Sequence, residues 1–229
     1  MRKKLTGIAA ALLFLAAAAG CFLAGEKLTE KLEYKETSGE VKKGCIVLDA
    51  GHGGSDSGKI GVNGAEEKVI NLSIVKKIKG ILEESGYEVV LTRESDDRLG
   101  NSQAEDLRKR VSIMDEAKPI LAVSIHQNSY HDPAVFGAQV FYHPESEKGK
   151  LAAETIQEAF LELNPANTKK AKSNHTYYIL KKTAVPVVIA ECGFLSNYEE
   201  AEKLSDEGYQ DKAARAVAAG ITTFAEMQK

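Results

Sequence analysis

The chain contains 229 residues, of which 28% are charged and 43% hydrophobic, and it carries a formal net charge of -3. This length is enough for one domain with a sizeable core, and the lack of a basic excess argues against nucleic-acid binding. The three cysteines are spaced neither as a zinc ribbon nor as a disulfide framework, so no cross-link is expected to hold the fold together.

The N-terminal segment differs in composition from the rest of the chain. Residues 1–25 start with three basic residues after Met1 and continue as a mainly Ala and Leu stretch, which is typical of a signal peptide or an N-terminal membrane anchor. Cys21, preceded by Ala-Ala-Gly, leaves lipoprotein processing as a third fate. Residues 26–43 are charged and poor in apolar side chains, so they are interpreted as a linker. We expect an exported, extracytoplasmic protein that meets the membrane only through this segment, and favour an uncleaved anchor over release.

From residue 44 to 229 the hydrophobic pattern alternates between strands and helices. This alternation predicts an α/β fold, with a mainly parallel twisted sheet flanked by helices in a single domain. Besides the three strands described next, strands are expected at 87–92, 137–142 and 177–180. Helices are expected at 71–82, from a capping box at Ser102 to about 116, at 147–163, after a capping box at Ser196, and at 208–227.

Three buried-strand patterns end at residues that can bind a metal or move a proton. They lead into His52, His126 and Glu191. Because ligands of open α/β sheets bind at the carboxyl ends of the strands, these side chains are expected to lie together. Glu67, which begins a helical pattern, joins them. Two His and one Glu with an open water position form the usual ligand set of a hydrolytic zinc site, beside which Glu191 would act as general base.

Each of these residues also has a less specific interpretation. His52 alone in a glycine-rich loop is more often a satisfied polar residue than a ligand, and Glu66 and Glu67 are both plausible solvated carboxylates of a first helical turn. Glu191 can be a salt-bridged structural residue. Cys192 is disfavoured as a nucleophile because a reactive thiol needs an electropositive setting. The residues by themselves support metal-assisted hydrolysis in an exported α/β domain.

Several motifs follow one another in an order that resembles a known family. They are Asp49 to Gly54 (DAGHGG), Glu67-Lys68 with Asn71-Leu72, Thr92-Arg93, Arg110-Val111, residues 124–128 (SIHQN) and residues 191–197 (ECGFLSN). From about residue 44 to the C-terminus the chain resembles the zinc-dependent N-acetylmuramoyl-L-alanine amidases of the amidase type-3 family. The resemblance selects Glu67 over Glu66, and one departure is Cys192, where many members have a small aliphatic residue.

This resemblance implies hydrolysis of the amide between N-acetylmuramic acid and L-alanine in peptidoglycan. It implies Zn²⁺ held by His52, Glu67 and His126, with Glu191 as the catalytic base. The one-domain layout behind an N-terminal anchor further resembles the spore-cortex and germination-related amidases. Two alternatives stay open: a zinc peptidase that cuts within the stem peptide, and a non-catalytic wall-binding or partner-activating module. The oligomeric state and the preferred stem peptide do not follow from the sequence.

Several other residues have roles that the sequence leaves open. Arg93 and Arg110 are expected either to bind a carboxylate of the stem peptide or to form ion pairs on a helix surface. Three further histidines look peripheral, although one of them, His175, is a candidate for the substrate groove. Some family members insert an inhibitory helix after the 137–142 strand; the short connection here leaves no room for it. We therefore expect the domain to act without an activator protein.

Overall fold

The computed structural model of the chain describes residues 43–229. The predicted signal peptide or anchor at 1–25 and nearly all of the 26–43 linker lie outside the described residues. Within 43–229, no helix is both long and apolar enough to cross a bilayer.

One six-stranded sheet forms the centre of the domain. Its strands are β1 (Cys45–Ala50), β2 (Glu88–Leu91), β3 (Leu121–Asn128), β4 (Gln139–Tyr142), β5 (Lys172–Ser173) and β6 (Val187–Phe194), in the order β2-β1-β3-β6-β4-β5. Every neighbouring pair is parallel except β4 with β6. The predicted single α/β domain with a mainly parallel sheet is confirmed.

Six helices flank the sheet in the described part of the chain. They are α1 (Glu67–Glu84), α2 (Gln103–Ala117), α3 (Glu147–Leu163), α4 (Tyr178–Lys182), α5 (Tyr198–Ser205) and α6 (Glu207–Glu226). The bounds of α3 are those predicted. The cap at Ser102 is also confirmed, because the Ser102 hydroxyl accepts a hydrogen bond from the Glu105 amide at 3.2 Å. No inserted helix separates β4 from α3, which residues 143–146 connect.

Two local predictions are wrong. The expected strand at 177–180 is the short helix α4, because the Asn174 side chain accepts hydrogen bonds from the following amides and turns the chain before it can extend. The cap of α5 is Asn197, whose side chain accepts from the Glu200 amide at 3.0 Å. The Ser196 hydroxyl binds the Tyr130 amide instead.

The alternation of side chains along the central strands divides the core between the two faces of the sheet. On one face, Val123, Ile125, Val188, Ala190 and Cys192 pack with residues of α1, α3 and α6. On the other, Ala122, Val187 and Ile189 pack with Met114 of α2 and with Ile179 and Leu180 of α4. By this period of two, His126 and Glu191 lie on the α2 and α4 face, and Cys192 lies on the opposite face.

Candidate active site

The predicted ligand residues meet at the carboxyl edge of the sheet. Glu67 Oε1 lies 2.9 Å from His126 Nδ1, and Glu67 Oε2 lies 3.3 Å from His52 Nε2. The ligand atoms of all three residues lie within 4.8 Å of one another. Bonds of about 2.0–2.1 Å in a tetrahedral zinc site put ligand atoms about 3.3 Å apart, so the donor set fits a zinc ion with one position left open.

The charge distribution of this cluster also suits a cation. Burial opposes ionisation of Glu67, but hydrogen bonds from His126 and His52 outweigh it and hold the pKa of Glu67 well below its usual value. Burial likewise opposes charge on His52, yet the hydrogen bond and negative charge of Glu67 raise its pKa to about 9. An anionic Glu67 therefore draws positive charge to the point between the two imidazoles.

His52 occupies a loop that only an unusual backbone can form. It has a positive φ of 63°, and the following Gly53 and Gly54 have φ of 137° and 56°. A side chain on Gly51 would overlap the His126 ring. The glycines thus let the backbone turn sharply after β1 and pass directly beside the second imidazole.

Asp56 orients the His52 ring. Its Oδ2 lies 3.0 Å from His52 Nδ1, while its Oδ1 accepts a hydrogen bond of 3.1 Å from the Gly58 amide. A carboxylate on one ring nitrogen leaves the other nitrogen, Nε2, available to bind a metal ion. The sequence reasoning missed Asp56; its position four residues after His52 in the same glycine-rich loop was the available signal.

Two buried arginines hold the carbonyl groups of this loop. Arg93 donates from Nε to the Ala50 carbonyl at 2.8 Å and from Nη2 to the Gly51 carbonyl at 3.0 Å. Arg110 donates from Nη1 to the Ala50 carbonyl and from Nη2 to the His52 carbonyl, both at 2.7 Å. The arginines are only 4% and 2% exposed, so the expected ion pairs on a helix surface are corrected to contacts in the interior, whereas binding of a stem-peptide carboxylate stays a prediction.

Asp49, at the end of β1, neutralises Arg110 in the interior. Its Oδ1 lies 2.6 Å from Arg110 Nη1, and Asp106 contacts Arg110 Nε at 2.7 Å. The hydroxyls of Thr92 and Ser124 also donate to Asp49. Burial works against the charged form, but the Arg110 charge and the two hydroxyls outweigh it and keep the pKa of Asp49 below its usual value.

Glu191 stands beside the ligand cluster without belonging to it. It pairs with His126 across β3 and β6 and is 8% exposed. Among the described residues, no donor reaches its buried Oε2. Burial, opposed by the charge of His126 and assisted by that of Glu67, raises the pKa of Glu191 to about 7. A carboxyl group with such a pKa suits proton transfer near neutral pH.

These groups face a common cleft. It has a volume of about 240 Å³, and His52, His126 and Glu191 line it together with Tyr177, Leu107 and Ile179. The apolar and aromatic residues from α2 and from the start of α4 form the wall opposite the ligands. Tyr177 was expected in a strand, so the sequence gave no reason to place it here.

Comparison with known proteins identifies the family. A family model described as N-acetylmuramoyl-L-alanine amidase, type 3, matches residues 46–223. The chain belongs to this amidase family. The resemblance expected from the motifs is therefore confirmed, and so is amidase activity on peptidoglycan, which takes place outside the cytoplasm.

Individual relatives support the same assignment. The amidase is 33% identical to the germination-specific N-acetylmuramoyl-L-alanine amidase of Bacillus subtilis over 98% of this chain and 96% of the relative. The solved CwlD amidase of Clostridioides difficile, in complex with the GerS lipoprotein, is 36% identical and has a TM-score of 0.77, covering 80% of this chain and 99% of that one. The catalytic domain of CwlV from Bacillus (Paenibacillus) polymyxa is 32% identical with a TM-score of 0.72, covering 80% and 98%.

The remaining candidate residues of the amidase lie away from the cleft. Cys192 is buried in the core on the opposite face, where burial raises the pKa of its thiol, so the disfavoured nucleophile role is excluded. His131 and His175 are exposed and do not line the cleft. His143 belongs to a separate surface depression near the start of α3. Glu66 pairs with Lys68 at 3.3 Å rather than with a histidine.

Proposed function

We propose that this amidase depends on one zinc ion held by His52, Glu67 and His126, with Glu191 as its general base. The observation that carries the proposal is the buried, unpartnered Oε2 of Glu191 next to a three-donor cluster. Burying a carboxylate oxygen without a hydrogen-bond donor costs folding free energy, so such groups are rare and concentrate at functional sites. Three protein ligands leave one position free, whereas a fourth would close the site as in structural zinc centres.

In this arrangement each residue of the site has its own role in the reaction. Bound zinc would polarise the scissile carbonyl and lower the pKa of the attacking water. Glu191 accepts the proton of that water and passes it to the nitrogen of the departing L-alanine. Asp56 and the two arginines keep His52 in place, and Leu107 and Ile179 give the cleft apolar side chains.

We further propose that residues 1–25 direct export or serve as a membrane anchor, that 26–43 form a linker, and that 44–229 form the catalytic domain. The composition of the N-terminal residues supports this division. The Bacillus subtilis relative that aligns over 98% of the chain is named germination-specific, which supports a role in spore peptidoglycan. Fractionation of cells should find the protein outside the cytosol, and recovery in the cytosol would contradict export.

Digestion of purified peptidoglycan tests the reaction and the metal together. With no second protein present, the amidase should release intact stem peptides that begin at L-alanine, which mass spectrometry distinguishes from fragments cut within the stem. Chelation should abolish the release, and added zinc should restore it. Elemental analysis should give one zinc per chain, lost in His52→Ala and in His126→Ala. Stoichiometric zinc in both variants would refute the ligand assignment.

Glu191→Gln separates the base from the ligands. The amide keeps the shape of the side chain but cannot accept the proton, so kcat should fall by roughly 10²–10⁴-fold. Zinc content should stay at the wild-type level. Near wild-type turnover would rule out the base role, and loss of zinc together with activity would make Glu191 a ligand instead.

A further inference from the structure

A second groove borders the cleft at the same edge of the sheet. It has a volume of about 470 Å³ and lies over β4, β5 and the ends of β3 and β6. Tyr177 lines both the groove and the cleft. The Tyr177 ring packs edge-on against Phe141 of β4, with ring centroids 5.6 Å apart, and so forms a shared wall between the two depressions.

The lining of the groove contains two positive charges and no carboxylate. Lys169 and Lys172 line it, and its lining includes no Asp or Glu. Neither lysine forms an ion pair within residues 43–229. The Lys169 ammonium lies 5.0 Å from the centre of the Phe194 ring. The Glu200 carboxylate, which feels the Lys169 charge, is already engaged by the amides of Gly137 and Phe194.

Neutral hydrogen-bond donors complement these two charges. The side-chain amides of Asn128 and Asn174 line the groove. Their oxygens accept hydrogen bonds from nearby backbone amides, whereas their NH₂ groups donate to no group in the part of the chain that the structure describes. Ammonium groups and amide donors together form a surface that suits an anionic, oxygen-rich ligand.

The groove lies within reach of the bond that is cut. Gln139, which lines it, is the direct partner of Glu191 across β4 and β6. Opposite residues in antiparallel strands are only about 4.5–5.5 Å apart, and an extended peptide advances roughly 3.3–3.6 Å per residue. A peptide whose first amide sits at Glu191 and which runs across the sheet toward β4 would reach the groove with its second or third residue.

We propose that this groove binds the free carboxylates of the stem peptide, on the leaving-group side of the scissile amide. The inference rests on the proposed function, because it takes the position of the scissile amide from Glu191 and the zinc ligands. The glycan side of that amide carries hydroxyl and acetamido groups without charge, whereas the stem peptide carries carboxylates. Only the peptide side matches two lysines that form no ion pair among the described residues.

Two muramoyl peptides that differ in one group test the assignment. The second residue of the stem carries a free α-carboxylate in one and the corresponding amide in the other. The wild-type full chain with zinc should have a KM about threefold to tenfold lower for the acid, the range expected for two solvent-exposed charge contacts. This preference should shrink as the salt concentration rises, whereas kcat should be the same for both substrates.

A matched pair of double variants assigns the preference to the groove. Lys169→Gln with Lys172→Gln should abolish it by raising the KM for the acid to the value for the amidated substrate. Lys76→Gln with Lys212→Gln removes the same charge from two exposed helix positions and should keep the preference. Lys172→Gln alone, at an exposed position, should reduce the preference if the double variant folds poorly.

The outcomes separate this inference from the amidase assignment itself. If the wild type hydrolyses both substrates with equal KM, or the lysine variant keeps its preference, the carboxylate site is refuted and the amidase function stands. If the lysine variant raises KM equally for both substrates, the two lysines do not bind the carboxylate in which the substrates differ, which also refutes the inference. If the wild type hydrolyses neither substrate, the proposed function fails.

Discussion

His52 and His126 face the same carboxylate, but the protein holds them by different means. His126 belongs to β3, where pairing with β1 and β6 sets its backbone position and its face of the sheet. His52 lies beyond the end of β1 in a left-handed conformation. Its loop is held by the side chains of Arg93, Arg110 and Asp56. Regular backbone pairing between strands thus positions one histidine, whereas the other depends on hydrogen bonds and ion pairs from individual side chains, one of which binds its loop from 60 residues away in sequence.

The largest expected effect on stability comes from removing Arg110, whose side chain holds the His52 loop. Arg110→Met leaves Asp49 buried without its countercharge, and breaking such a pair costs about 3–5 kcal/mol of the free energy of unfolding. Urea denaturation with saturating zinc measures this cost. Lys203→Met breaks an exposed ion pair with Glu199 and should leave stability nearly unchanged. A small effect of Arg110→Met would show that the His52 loop does not need its buried arginine.

A smaller effect, confined to the metal, should follow from Asp56→Asn. The change weakens the hydrogen bond that orients the His52 ring, and loss of such a contact typically lowers metal affinity by on the order of 10- to 100-fold. Competition with a chromophoric chelator measures the affinity. Glu66→Gln, which alters a neighbouring carboxylate that contacts no histidine, is the matched control. Equal zinc affinities in the two variants would refute the positioning role of Asp56.

The smallest effect is the pH dependence that Asp49 confers. Because its pKa is lowered in the folded state, its contribution to stability is fully present above its unfolded-state pKa of about 3.9 and is lost as the pH falls through the lower folded-state value. Asp49→Asn should therefore be less stable than the wild type at neutral pH, and its free energy of unfolding should fall less steeply under acid. Parallel pH profiles of the two proteins would contradict this.

The same contrast explains which parts of the site could be predicted from sequence. The run that ends at His126 and the run that ends at Glu191 are strongly hydrophobic, so their strands, their shared edge and their convergence were predictable. Arg93 and Arg110 were recognised in motifs, but their burial was not predicted. The sequence around an arginine does not show which internal acceptors will surround its guanidinium group. Asp56 was missed because a carboxylate in a glycine-rich loop has many ordinary explanations.

By itself, the sequence determined the alternation of strands and helices, the family, and the residues that meet at the carboxyl edge of the sheet. These depend on hydrophobic periodicity and on motif order, which are properties of short segments. Only the tertiary structure decided that Tyr177 and Ile179 line the cleft, that two arginines bind the backbone around His52, and that a groove lined by two lysines borders this cleft. Those features depend on contacts between segments far apart in the chain, and the pattern of one segment carries no information about the partner it will meet.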